Sequence, residues 1–413
     1  MRAAAERPYG RVAGAIGQVE SQSEQQPILI TGTTGFVGME VLARFLQGSQ
    51  RHIFVLIRAR NDADAHERLR VVLATAFGDP DAHPGRVTAV AGDIEQSGLG
   101  LDPGRLDELA GQVDRVLHAA ASVSFELGIT ESRGINLGGT QHMLGFADRA
   151  QQLGGLERFT YVSTAYVAGT HRGEFAEQDY DVGQGFRNAY ERSKWESEGT
   201  VRAASSRLPV QIVRPSIIVG EQASGWTVAF NVLYGPIRAL SAGAYRVIPL
   251  NLEAPVDVVP IDYVADALFE LCSSGPDGTF HLVAGDRATT VGRLAQMTTE
   301  HFRRPMPRIV PPAVYRALYP LLRLAAHGRQ RLALEHTQVF IPYLNIGVHF
   351  KDRVTRARLE PAGVCVLRVE DYFPCLLDFA LAAAWGKRPQ PHPRSAADTL
   401  SDQHPRWIQR SVA

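Results

Sequence analysis

The sequence predicts an α/β protein with a doubly wound parallel sheet and a smaller, split C-terminal substrate lobe. From Pro27 onward, short β-branched runs alternate with amphipathic segments of helical length, which is typical of parallel strands joined by crossover helices. The runs are apolar almost throughout, so both faces of each strand should be buried. Beyond Gly220 the rhythm becomes irregular, which favours a second lobe.

The elements follow from these patterns in chain order. Apolar runs predict strands over 27–31, 52–57, 87–92, 113–119, 158–163, 210–214 and 279–284. Helical spacing predicts crossover helices over 36–47, 62–77, 130–153 and 189–206. In the second lobe, we expect helices over 228–240, 262–273, 313–326 and 371–385, and a strand over 256–261.

The same reading divides the chain into four parts. Residues 1–26 form a loose leader, 27–240 a nucleotide-binding domain with the catalytic residues, and 241–386 a substrate-binding lobe. Residues 387–413 contain prolines and few apolar residues, which predicts a flexible tail.

Composition excludes several classes of protein. Of the 413 residues 45% are hydrophobic and 21% charged, which is typical of a globular chain with a sizeable core. The net charge of zero gives no global electrostatic reason to bind nucleic acid or an anionic bilayer. No run approaches the roughly 18 apolar residues of a membrane-spanning helix. The cysteines (Cys272, Cys365 and Cys375) lack metal-ligand spacing, so we predict core residues in a reducing, cytoplasmic protein.

The glycine-rich turn TGTTGFVG places Gly32, Gly35 and Gly38 directly after the first strand and at the start of a helix. Backbone amides at a helix N-terminus suit the pyrophosphate of a dinucleotide, as in Rossmann-type folds. The alternative is a structural turn that happens to be rich in glycine.

The end of the second strand reads LIRAR, where an NAD-binding fold would normally carry an acidic residue. Arg58, and in a wider interpretation Arg60, would instead pair with a 2′-phosphate, so NADPH is the expected cofactor and NADH the less favoured one. The alternative is a solvated basic loop. Asp93, after the third strand, would accept from the adenine amine or simply cap the strand, and Ala119 and Ala120 would let the backbone approach the cofactor.

Tyr190 and Lys194 are the most specific pair. Only three lysines occur in the chain, so a tyrosine four residues before one of them is a rare coincidence. Both side chains would share one helix face, and a buried ammonium near a phenol would favour the phenolate. The alternative is an ordinary exposed pair. At the end of the fifth strand, a hydroxyl from Thr164, preferred over Ser163 by strand alternation, could hydrogen-bond a carbonyl oxygen.

Together the segments TGTTGFVG, HAAASVSF, NLGGT, VSTAYV, YERSKWESE and RPSIIVG resemble the extended short-chain dehydrogenase/reductases. Within these, the chain is most similar to fatty acyl-CoA reductases and to the thioester reductase domains of carboxylic acid reductases and peptide synthetases. The resemblance covers roughly residues 27–385 and is dense to about residue 290.

The resemblance implies a catalytic trio of Thr164, Tyr190 and Lys194 in an NADPH-dependent reductase that converts an acyl thioester, on coenzyme A or on a carrier protein, to an aldehyde or further to an alcohol. It also implies pairing into homodimers. The cofactor residues that it implies are Gly32, Thr33, Gly35, Phe36, Val37, Gly38, Arg58, Asp93, Ile94, Tyr190, Lys194, Pro215 and Ser216.

Three alternatives use the same residues or the same fold. A ketone or alcohol oxidoreductase and a nucleotide-sugar epimerase or dehydratase would employ the same trio, whereas a redox sensor would bind dinucleotide without turnover. The apolar helix 313–326, flanked by arginines, is interpreted as a core or lid helix, with peripheral contact to a membrane or to an acyl chain as the alternative.

Overall fold

The computed structural model describes residues 26–230, 232–245, 247–249, 251–310, 324 and 347–394. Seven parallel strands form the central sheet: β1 Ile28–Thr31, β2 Ile53–Ile57, β3 Val87–Ala91, β4 Arg115–His118, β5 Arg158–Val162, β7 Val210–Pro215 and β12 Gly278–Leu282. Their order across the sheet is β12-β7-β5-β4-β1-β2-β3. The predicted doubly wound sheet is confirmed, and all seven predicted strands belong to it.

The strands are buried because their side chains are apolar on both faces. Ile28, Leu29 and Ile30 of β1 are fully buried between helix layers. The helices are α1 Phe36–Gly48, α2 Asp62–Phe77, α3 Pro103–Gln112, α4 Ile129–Arg133, α5 Gly139–Leu153, α6 Ala189–Ala204, α7 Tyr234–Ser241, α8 Ile261–Ser274, α9 Val291–His301, α10 Arg353–Leu359 and α11 Val369–Ala382.

Short strands build the second lobe. They are β6 Gly173–Phe175, β8 Ile217–Val219, β9 Val247–Pro249, β10 Pro255–Val256, β11 Val258–Pro260, β13 Thr289–Thr290, β14 Arg308–Val310 and β15 Val348–Phe350. They pair two by two as β10 with β13, β11 with β8, β14 with β9 and β15 with β6.

The predicted boundary at residue 240 is wrong, because the chain returns to the central sheet after it. Strand β12 pairs with β7 at the edge of this sheet, from Gly278 opposite Gln211 to Leu282 opposite Pro215. Helix α8 packs on α1 beside the glycine turn. The second lobe is therefore inserted between and after elements of the nucleotide-binding domain.

The structure differs from the predicted elements at several positions. The predicted helix 130–153 is divided by one π-helical turn at Gly134–Gly138, and the predicted helix 228–240 begins only at Tyr234. Helix α3 was not predicted.

Cys365 is exposed, unlike the core residue that we expected. The predicted helix 313–326 lies outside the described residues except for Leu324. Within the described ranges, no helix is long and apolar enough to cross a membrane.

The segment 388–394, called here the C-terminal clasp, is held by His392 and Arg394 where the sequence predicts a flexible tail, whereas residues 395–413 of that tail and residues 1–25 of the predicted leader lie outside the described residues. His392 is buried, and its Nε2 lies 3.3 Å from Glu40 of α1 and 3.3 Å from Glu221. Arg394 pairs with Glu40 at 2.8 Å. The Arg394 backbone amide donates to Nδ1 of His392 at 3.0 Å, so the proton of the neutral ring sits on Nε2 and faces the two carboxylates. The clasp therefore closes a buried polar cluster on α1.

Candidate functional site

The glycine turn brings three backbone segments together. Gly32 has φ +81, and a Cβ there would lie 2.6 Å from the Ala120 amide nitrogen at the end of β4. A Cβ on Gly38 would lie 2.2 Å from the Gly32 carbonyl oxygen. No side chain caps α1, which begins at Phe36. The amides of its first turn are therefore available to an anion, which fits the phosphates of a dinucleotide.

One cavity of about 540 Å³ runs along the carboxyl edge of the sheet, from the glycine turn to Tyr190. Its size is ordinary for a small-molecule site. Every residue that the sequence suggests for the site lines this cavity except Arg60, which is exposed, and Thr33 and Lys194, which are both buried. The lining residues among them are Gly32, Gly35, Phe36, Val37, Gly38, Arg58, Asp93, Ile94, Ala119, Ala120, Thr164, Tyr190, Pro215 and Ser216.

Two arginines stand at the end of the cavity next to β2. The Arg58 side chain is 71% exposed and donates to Glu95 at 3.1 Å. Arg68, on α2, lines the same cavity and donates to the Arg58 carbonyl. Arg60 instead pairs with Asp64 and lies outside the lining of this cavity. Sequence reasoning missed Arg68, because it lies one helix away from the strand end that gives the usual signal.

Asp93 accepts a hydrogen bond from the Glu95 backbone amide at 3.0 Å, and both residues line the cavity. Asp93 therefore stabilises the turn after β3, as the capping interpretation expects, and its carboxylate also reaches the cavity wall. Asp62, close in sequence to the predicted basic loop, pairs with Arg105 at 2.7 Å. Asp62 therefore does not neutralise Arg58. Among the described ion pairs, Arg58 pairs with Glu95.

Tyr190 is the second residue of α6, whose start is capped by Asn188 accepting from the Glu191 amide at 2.9 Å. Its ring packs 5.7 Å from that of Phe125, centroid to centroid. Burial raises the pKa of Tyr190 to about 12, although a hydrogen bond with Thr164 opposes the rise. The phenol is therefore protonated at neutral pH and can donate a hydrogen bond or a proton.

Lys194 lies one turn further along α6. Its Nζ donates to the Val162 carbonyl at 2.8 Å and lies 4.3 Å from the centroid of the Tyr161 ring. Burial lowers the pKa of Lys194 to about 7, and the charge of Glu198 opposes this shift. The expected lowering of the Tyr190 pKa by this ammonium is wrong for this structure, because burial of the phenol raises its pKa.

Thr164 and Ser163 point their hydroxyls in different directions, as strand alternation predicts. Thr164 caps a 3₁₀ turn over Ala165–Ala168, and its Oγ1 accepts from the Tyr166 amide at 3.2 Å. The Ser163 hydroxyl donates to Glu198 at 2.7 Å, on the side of α6. The Thr164 hydroxyl instead donates to the Pro215 carbonyl at 3.5 Å, and both Thr164 and Pro215 line the cavity with Tyr190.

Asn136, which sequence reasoning did not single out, ties the cavity wall to α6. Its Oδ1 accepts from the Ser122 amide at 2.8 Å, and its Nδ2 donates to Ser193 at 2.9 Å. It lies in the π-helical turn between α4 and α5. The NLGGT segment contained the signal, but its local pattern gives no information about these long-range partners.

Apolar residues line a further part of the cavity. Pro215 and Ser216 lie at the end of β7, and Ile217 and Ile218 belong to β8. Val232 continues this wall. The cavity therefore joins a polar, glycine-lined end to an apolar end.

Comparison with known proteins gives a consistent result. The sequence model of one family, described as "Male sterility protein", matches residues 30–268, more than half of the chain. The chain is 27% identical over 282 residues to the fatty acyl-CoA reductase wat of Drosophila melanogaster, covering 58% of this chain and 53% of that protein. It is also 30% identical over 295 residues to the isonitrile lipopeptide synthase of Streptomyces coeruleorubidus, covering 70% of this chain and 19% of that protein.

Among solved structures, the terminal R domain of the myxalamid PKS-NRPS pathway has the same fold. The TM-score is 0.75 at 24% identity, and the match covers 89% of this chain and 94% of that domain. The chain spans about half the length of the Drosophila fatty acyl-CoA reductases that it matches. The likeness to the R domain shows the fold, with its seven-stranded sheet.

Proposed function

The chain belongs to the male sterility protein family, and from that premise we propose that it is a dinucleotide-dependent reductase of acyl thioesters. One observation carries the proposal: Tyr190 and Thr164 line the same cavity as the glycine turn. The names of the relatives, a fatty acyl-CoA reductase and a lipopeptide synthase, support the thioester as substrate. The thioester would arrive on coenzyme A or on a carrier protein.

We propose NADPH as the cofactor. Arg58 and Arg68 place two guanidinium groups at the end of the cavity where the adenosine ribose of a dinucleotide on the glycine turn would lie. Guanidinium groups match phosphate oxygens in charge and geometry. Among the described ion pairs, Glu95 is the carboxylate that pairs with Arg58. This ion pair partly neutralises the negative charge of Glu95.

Tyr190, Thr164 and Lys194 would each have a separate role in the reaction. A dinucleotide bound at the glycine turn would supply the hydride for the carbonyl carbon of the thioester. Tyr190 and Thr164 donate hydrogen bonds to the carbonyl oxygen, on which negative charge develops in the transition state. Because the Tyr190 phenol is protonated at neutral pH, it can also give its proton to that oxygen. Lys194, one turn away, would hold the nicotinamide ribose and supply positive charge beside Tyr190.

The second part of the reaction breaks the carbon–sulfur bond. When the oxygen re-forms its carbonyl bond and returns its proton to Tyr190, the thiolate leaves and takes a proton from solvent. An aldehyde remains. With a second NADPH in place of the oxidised dinucleotide, a second hydride on the aldehyde carbon and a proton from Tyr190 would give the alcohol by use of the same trio, and solvent would return the proton to Tyr190.

The experiment is to follow NADPH oxidation with a panel of acyl-CoA thioesters, with matching aldehydes and ketones, and with NADH in parallel. We expect oxidation that depends on thioester and releases one free thiol for each thioester consumed. The aldehyde results distinguish transfer of two electrons from transfer of four. Oxidation with ketones alone would contradict the proposal and would assign the chain to the carbonyl reductases.

A further inference from the structure

Glu198 lies on α6 one turn beyond Lys194, outside the lining of the cavity, and is fully buried. Its Oε2 accepts from Ser163 at 2.7 Å and from Arg214 Nε at 3.0 Å. Its Oε1 accepts from Arg214 Nη2 at 2.6 Å and from Arg202 at 2.9 Å. Burial alone would raise the pKa of Glu198, but these arginines hold it below its ordinary value. The carboxylate is therefore charged and fully hydrogen-bonded.

Helix α6 holds the end of β5 through three successive side chains spaced four residues apart. Each side chain contacts a different residue of the strand end that carries the catalytic threonine. The pairs are Tyr190 with Thr164, Lys194 with the Val162 carbonyl at 2.8 Å, and Glu198 with Ser163 at 2.7 Å. Glu198 lies outside the cavity, and Ser163, although it lines the cavity, donates its hydroxyl to Glu198, so the role of this pair is to fix the position of the strand end.

Glu198 is also the charge that opposes the desolvation of Lys194. The other titratable groups described around Lys194 are uncharged at neutral pH. Burial raises the pKa values of Tyr161 and Tyr190, and burial together with the Lys194 charge lowers the pKa of His118 to about 3. Removal of the Glu198 charge would therefore leave the ammonium with carbonyl and ring contacts alone.

The groups around Glu198 hold it rigidly. Arg214 is fully buried, donates to the Asp179 carbonyl at 2.8 Å, and contacts Nε2 of His281 at 2.9 Å. Burial and the Arg214 charge keep the pKa of His281 well below its ordinary value, so this ring accepts from Arg214. Tyr180 also faces Glu198, and its pKa is raised to about 12, first by burial. The ion pair thus links α6, β5, β7 and β12.

We propose that Glu198 is a positioning residue, which holds the strand end that carries Thr164 and supplies the negative charge opposite Lys194. The inference rests on the proposed function, because the importance of Thr164 and Lys194 depends on it. The electrostatic part, however, can be measured without turnover. Since the chain contains three lysines, Lys194, Lys351 and Lys387, their side-chain signals can be resolved by NMR.

The first experiment titrates protein labelled with ¹³C at the lysine ε-carbon, with Lys194 assigned by its loss in Lys194→Arg. In Glu198→Gln we expect the Lys194 pKa to fall by roughly one unit. Glu196→Gln is the matched control, since Glu196 lies on the same helix and pairs with Arg133 at 2.6 Å. It should leave the Lys194 pKa unchanged. A folded Glu198→Gln protein with an unchanged Lys194 pKa would overturn the proposal.

The second experiment keeps the ion pair and removes only the contact to the strand end. Ser163→Ala should lower kcat roughly tenfold, because the catalytic threonine next to it loses its fixed position. Ser163→Thr retains the hydroxyl and should recover most of the rate. This pair of variants also decides the matter if Glu198→Gln does not fold: equal kcat in Ser163→Ala and the unsubstituted protein would contradict the proposal.

The two proposals fail in different ways. If the unsubstituted protein reduces no thioester, the proposed function is wrong, and a lowered Lys194 pKa in Glu198→Gln would still support the electrostatic role. If thioesters are reduced but neither the Lys194 pKa nor kcat responds to these substitutions, the function stands and the role of Glu198 is purely structural.

Discussion

Tyr190 and Lys194 lie one turn apart on α6, and burial moves their pKa values in opposite directions, to about 12 for the phenol and about 7 for the amine. The reason is the same for both, since burial penalises the charged form of each group. At neutral pH the phenol keeps its proton, whereas the amine lies at its midpoint. The pH dependence of the reaction should therefore be set by Lys194.

We expect kcat/KM to fall as the pH rises through about 7, because Lys194 acts as an ammonium and loses its charge there. Below that pH the ammonium is complete, and Tyr190 remains protonated across the range. The measurement is a pH profile of kcat/KM for the thioester. Lys194→Arg provides the comparison, since guanidinium stays charged: its residual activity should show no such decline. A decline at the same pH in Lys194→Arg would assign it to another group.

Tyr190→Phe should lower kcat by about 10²-fold or more, the usual contribution of a positioned proton donor. Binding of NADPH should change by less than about threefold, because the phenyl ring keeps the packing with Phe125. Fluorescence titration with NADPH and steady-state rates check both values. Retention of full activity would show that the hydroxyl takes no part in the chemistry.

Arg68→Ala should raise the KM for NADPH by about tenfold and leave the KM for NADH unchanged, because the proposed partner of the lost guanidinium is the 2′-phosphate, which NADH lacks. Arg60→Ala is the matched control, since Arg60 lies just before α2 and pairs with Asp64. It should affect neither cofactor. If Arg68→Ala weakens both cofactors equally, Arg68 supports the backbone at Arg58 and does not select NADPH.

His392→Ala should lower the free energy of unfolding by about 2 kcal/mol, because it removes a buried ring that lies 3.3 Å from both Glu40 and Glu221 and packs on Trp226. Burial lowers the pKa of His392, but the two carboxylates raise it by more, so that the net shift is upward. The stabilisation from the charged ring is thus present below the ordinary pKa of histidine and is lost as the pH rises through the raised value.

The measurement for the C-terminal clasp is urea unfolding of both proteins at about pH 6 and about pH 9. The difference between them should be larger at the lower pH. His52→Ala is a control, since His52 bonds to Thr88 at an exposed position. An equal difference at both pH values would show that packing on Trp226 accounts for the effect, without the charge.

The sequence predicted the strands and the first helices because their signals are local. Apolar runs define β1 and β2, and helical spacing predicted α2 with the bounds that the structure has. The glycine turn, Thr164 and Tyr190 were found in the same way, and they lie on one cavity. These features depend on residues close together in the chain.

The features that the sequence did not predict depend on distant partners. Arg68 lines the cavity from helix α2. Glu198 on helix α6 pairs with Arg214, which lies on strand β7. The tail prediction is wrong at His392, because prolines and polar residues indicate disorder, whereas this side chain is buried by carboxylates far away in the sequence. The boundary at residue 240 failed because strand composition does not tell which sheet a strand joins.

The C-terminal clasp has a consequence for biosynthesis. Glu40 and Arg44 leave the ribosome long before His392 and Arg394, the late residues that complete their buried cluster. At roughly 5–20 residues per second the delay is on the order of tens of seconds. During that interval α1, which bears the glycine turn, also lacks α8 as its neighbour until about residue 274 is made. The buried charge of Glu40 in the nascent nucleotide-binding half is therefore fully paired only after the C-terminal clasp has been made.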